Sequence, residues 1–190
     1  MKLALVLART RRPLRRFLAD KRGVSAVEFA MVLPLMVTLY LGGVEVSQAV
    51  AIDRKVTLVA RTLGDLVSQA TSVDNSGMTS IFTATTAVIA PYSDASLKIT
   101  VSSIQINSQG VAKVSWSDTK NGTVHTVGSI VVLPAALNVP STSLIWAEAS
   151  YAYTPTIGHF ITGTKNLTDQ IYMRPRLTDC VLRPNTQTSC

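Results

Sequence analysis

Apolar residues run almost without interruption from Val24 to Val44, a stretch of 21 residues in which Glu28 is the only charge. As a helix rising about 1.5 Å per residue, that stretch is long enough to span the hydrocarbon core of a bilayer. The pattern then changes. Val56, Val59, Leu63 and Leu66 recur at helical spacing, with Asp53, Arg54, Lys55, Arg61 and Asp65 between them. This predicts that the helix continues beyond the membrane, to about Gln69, as an amphipathic stalk. Thr71 to Thr79 reads as a polar break with Asn-Ser-Gly turn chemistry. A short helix over Ser80 to Ala90 follows, and Pro91 stops it.

Further along the chain the period falls to two. Leu97 to Val101 and Ile104 to Ile106 read as strand, Ser108-Gln109-Gly110 as a turn, and Val111 to Trp116 as the returning strand. Asn121-Gly122 marks another turn. Leu144 to Tyr153 alternates large residues with small or polar ones, and Asn166 to Met173 reads as a last strand. The expected fold is α+β: a long transmembrane helix, its stalk, and a small antiparallel sheet packed on that stalk. The expected divisions are a leader at 1–23, a membrane helix at 24–44, a stalk at 45–70 and an outer domain at 71–190.

Charge orients this arrangement. The net charge is +7, and residues 1–23 hold eight Lys/Arg against one acid, which accounts for all of it. A basic segment abutting an apolar span marks the cytoplasmic end. The excess is therefore a topological signal, and no nucleic-acid partner is expected. The expected location is the bacterial inner membrane, single-pass, with the carboxy-terminal domain in the periplasm. Cys180 and Cys190 fall in that exported part, where a disulfide is the ordinary outcome, worth about 2–3 kcal/mol; two free thiols are the alternative.

Three fates of the amino terminus fit the residues. The helix is kept as an uncleaved anchor, or a signal peptide is cut after Ala49-Val50-Ala51, or the cut falls after Gly23. The third is the one that resembles a known family. Arg22, Gly23, Ala26, Val27, Glu28, Phe29, Ala30, Leu33 and Pro34 sit in the pattern R-G-x-x-A-V-E-F-A-x-V-L-P, with G-G-V-E-V further on. That pattern resembles the TadE/TadG-like pseudopilins of the tight-adherence (Flp-type) pilus. The resemblance covers about the first 50 residues. It implies cleavage by a prepilin peptidase after Gly23, making Val24 the first mature residue and Glu28 the fifth. It also implies that the helix packs with other pilin-type subunits and the assembly platform. Val24 and the Glu28-Phe29 pair depart from major pilins, which favours a minor or assembly component.

Each position also has its own physics. Gly23 offers an unhindered scissile bond, and it is equally a simple linker glycine. The Glu28 carboxylate either pairs with a freed Val24 amine on a neighbouring helix or stays hydrated at the interface. Burying it at mid-bilayer costs about 2.5–3.5 kcal/mol on insertion scales. Pro34 removes a helical hydrogen bond, and Gly42-Gly43 permits close helix approach. Ordinary variation among membrane helices explains both equally well.

Elsewhere the sequence shows no catalytic pattern. His125 and His159 stand alone in the chain, outside any metal-ligand spacing. Asp65, Asp74, Asp94 and Asp118 are scattered, and there is no nucleophile elbow or phosphate loop. Trp116, Trp146, Tyr151 and Tyr153 read as packing residues, and Arg174 and Arg176 as surface charge. The reading is a non-enzymatic minor pilin or assembly component, without cofactor or metal, inserted in lipid. An uncleaved pilus-machinery anchor and an anchored periplasmic binding protein are the alternatives.

Overall fold

The computed structural model describes residues 22–156, 163–184, 186 and 187. The chain divides into two units at Val44/Glu45. The first described segment is helical and exposed. Val24, Phe29, Met31, Leu39 and Tyr40 all lie more than half open. Nothing among the described residues buries this apolar surface, which is of the kind lipid or other helices would cover. The helix α1 runs Arg22–Ser68 and is long and apolar enough to cross a membrane. It ends one residue short of the bound read from the sequence.

In the second unit, α1 residues from Glu45 onward pack on a four-stranded sheet. Ile52, Val56, Val59, Ala60, Leu63 and Val67 are fully buried, at the i, i+3, i+4 spacing of one helix face. Val67 takes the buried place expected for Leu66, which is only half-buried. At Gly64 the helix comes close to the sheet. A Cβ there would meet Met173 Sδ at 3.3 Å, Ile171 Cγ2 at 3.4 Å and Ala147 Cβ at 3.5 Å. Glycine sets this helix–sheet separation.

Helix α2 spans Asn75–Ala87, five residues earlier than expected at its start. The Asn-Ser-Gly triplet, read as a turn, forms its first turn instead. Asp74 is the reason: its carboxylate accepts from Gly77 N at 2.7 Å, satisfying a helix-end amide that would otherwise be orphaned, and the Ser76 hydroxyl also donates to it at 2.9 Å. These bonds, the Gly77 amide first, hold the Asp74 carboxyl below its ordinary value of 3.8.

The strands are β1 Leu97–Ile106, β2 Ala112–Lys120, β3 Thr142–Tyr153 and β4 Lys165–Met173. They form an antiparallel sheet in the order β2-β1-β3-β4. The fold is α+β, as the sequence predicts. One register detail differs from simple alternation. Ser103 pairs with Trp116 while Ile104 pairs with Val114, so Ser115 is an extra residue in β2. This bulge turns Val114 and Trp116, two positions apart, to opposite faces. Trp116 enters the core under the helix with Val101, Ile145 and Ala147. Val114 faces away from it.

The carboxy-terminal segment is stitched to this core. Trp116 Nε1 donates to Val181 O at 2.8 Å, and Val73 N to Leu182 O at 2.9 Å. Cys180 is buried and not a free thiol; Cys190, its expected partner, lies outside the described residues, as does His159.

Candidate functional site

The residues singled out by the sequence for processing and assembly all lie on the first part of α1. Arg22, the first described residue, is already helical, so the Gly23–Val24 bond lies within helical backbone. Glycine's wide backbone freedom eases local opening of the chain at that bond. Among the described residues a Cβ at Gly23 would meet nothing within 4 Å, so packing there does not require glycine.

Four residues separate Val24 from Glu28, which places them about one turn apart. At 100° per residue, Glu28, Leu35 and Gly42 fall within about 40° of one another on one face. Gly42 and Gly43 are also open, with nothing within 4 Å of an added Cβ. The Glu28 face therefore carries the helix's closest-approach position. Phe29 is 65% exposed. Pro34 lies inside the helix and lacks the amide that would donate to the Ala30 carbonyl. Thr38 Oγ1 bonds the Pro34 carbonyl at 2.8 Å, which satisfies this hydroxyl locally in an apolar segment.

Residues 23–64 match the TadE-like protein family. The family is associated with the tight-adherence pilus. The matched span opens at Gly23 and ends at Gly64, the glycine that lies against the sheet. It thus covers the helix on both sides of Val44/Glu45 and leaves the sheet unaccounted for. No curated protein and no solved structure matches the chain significantly.

Away from the TadE-like helix, the sheet face opposite α1 holds a cluster that the sequence does not reveal. His125 is isolated in the chain but not in space. Its Nε2 lies 2.6 Å from Glu148 Oε2, and its ring stacks on Trp146 at 4.3 Å between centroids. Trp146 stacks in turn beside Tyr172, its cross-strand partner, at 5.8 Å. Burial, then the Glu148 carboxylate, raises the Tyr172 phenol above its ordinary 10.0. Only strand pairing brings these residues together. The sole local signal is that Trp146 and Glu148 share a face of β3.

The acids read as scattered each have a structural partner. Asp74 caps α2, Asp65 pairs with Arg176, and Asp94 lies 3.4 Å from Lys120. Asp118 pairs with Arg183. Among the described residues no group of three His, Cys, Asp or Glu is placed to hold a metal ion.

Proposed function

We propose that this protein is a minor pilin or assembly component of a tight-adherence pilus, cleaved by a prepilin peptidase after Gly23. The observation that carries the reading is the coincidence of the TadE-like match, which begins at Gly23, with an exposed apolar helix that contains it. The basic leader stays in the cytoplasm and the sheet domain is exported to the periplasm. The mature helix packs through its Glu28–Gly42 face with other pilin-type helices, and a Val24 amine on a neighbour neutralises Glu28. Phe29 and Pro34 lie about 100–120° around the helix from Glu28, on either side, and offer packing positions to further subunits and the assembly platform. An oxidising compartment also suits a Cys180–Cys190 disulfide closing the carboxy-terminal segment.

Replacing Gly23 tests this reading, because among the described residues an added Cβ there would meet nothing within 4 Å. In the native host, Gly23→Leu is expected to accumulate as a full-length membrane precursor and to abolish pili. Normal pilus assembly by that variant would sink the proposal.

A further inference from the structure

The outer sheet face bears a groove of about 680 Å³, within the usual size range of small-ligand sites. Its floor is polar: Lys98 and Thr100 on β1, Glu148 and Ser150 on β3, Thr168 and Gln170 on β4. One wall is the 121–125 turn, and that wall is fixed. Asn121 Nδ2 donates to Leu97 O at 3.1 Å, Thr100 Oγ1 to Thr123 O at 3.3 Å, and His125 N to Ser117 Oγ at 3.0 Å. Gly122 lets the turn lie this close, since a Cβ there would stand 2.7 Å from Thr119 Oγ1.

Two planar groups on the floor are each held through one atom. His125 Nε2 holds Glu148 Oε2, and Trp146 Nε1 donates to Gln170 Oε1 at 3.0 Å. Glu148 and Gln170 are direct cross-strand partners, so their side chains stand side by side. Among the described residues, Glu148 Oε1 is left to accept and Gln170 Nε2 to donate. An acceptor and a donor fixed next to each other match a pair of neighbouring hydroxyls, each of which can both give and take a hydrogen bond. The hydroxyls of Ser150 and Thr168 extend the same chemistry along the floor. Charge argues against an anion: Lys98 is offset by Glu148 and Asp169. His125 is the aromatic ring among the lining residues, and its stacking on Trp146 holds it in place.

We propose that this groove binds a neutral saccharide through vicinal hydroxyls, with Glu148 and Gln170 as the orienting pair. The proposal concerns the sheet, outside the TadE-like segment, and does not depend on cleavage at Gly23.

The test is calorimetric titration of the full chain, held in a non-glycosidic detergent, with maltose, cellobiose, lactose and diacetylchitobiose. Saturable binding of at least one sugar is expected. Gln170→Ala, which removes the donor, should weaken it by about tenfold or more. Thr168→Arg should abolish it by filling the groove from an exposed position, with the circular dichroism spectrum unchanged. If none of the four sugars binds saturably, or if binding survives intact in either variant while the fold is retained, the groove is not a saccharide site.

Discussion

Asp74 shows how one side chain decides an element boundary. Its carboxylate ends the polar break and starts α2, because it satisfies the Gly77 amide, which the helix itself leaves unbonded. The signal is present in the sequence, an Asp before an Asn-Ser-Gly triplet, but glycine and asparagine favour turns strongly enough to hide it. The pH dependence follows from the direction of its shift. A carboxyl held below its ordinary value stabilises the fold above about pH 4, and that stabilisation is lost as pH falls through the lowered value. Asp74→Ala should therefore lower the melting temperature at pH 7, and the gap to the parent should close in acid. Asp74→Asn, which still accepts a hydrogen bond, should lose less and show no such pH trend. Melting curves at several pH values check both statements, and a gap that stays constant into acid would refute the assigned role.

Between elements, the legible features are those set by local periodicity. The strand pattern and the α1 stripe are readable because each depends on neighbours in sequence. The β2 bulge at Ser115 is not readable, since a two-residue alternation from Val114 to Trp116 looks regular in sequence, yet the pairing puts them on opposite faces. The same holds for Arg183, which no local sequence pattern marks. It is 6% exposed and forks onto Asp118, Nε to Oδ2 at 2.8 Å and Nη2 to Oδ1 at 3.1 Å. It also donates to Val73 O and to Asn75 Oδ1, so one guanidinium joins the carboxy-terminal segment, β2 and the start of α2. Arg183→Met should destabilise the domain by about 2–3 kcal/mol. That is below the usual cost of breaking a fully buried pair, because Asp118 keeps 26% of its side-chain surface exposed. Adding Asp118→Asn should recover part of the loss by removing the orphaned charge. Denaturant unfolding of Arg183→Met, Asp118→Asn and the double variant measures this, and full additivity of the two changes would contradict the coupling.

For the whole molecule, the sequence and the structure inform different parts. The membrane segment is legible from composition alone: its length, its basic flank and the Gly23–Glu28 spacing need no tertiary contact to be read. The TadE-like match supports that part and ends where the sheet begins to matter. The outer groove is invisible in sequence because Thr100, His125, Glu148 and Gln170 come from four separate segments that only the fold brings together. If the sheet is exported, the groove binds sugar and the helix packs laterally, all as proposed, the protein has two separable contacts. The central claim remains the processing of the helix. Mass spectrometry of the amino terminus of the protein purified from its native membrane tests it most directly. The account predicts a chain beginning at Val24, and a chain beginning at Met1 would contradict it.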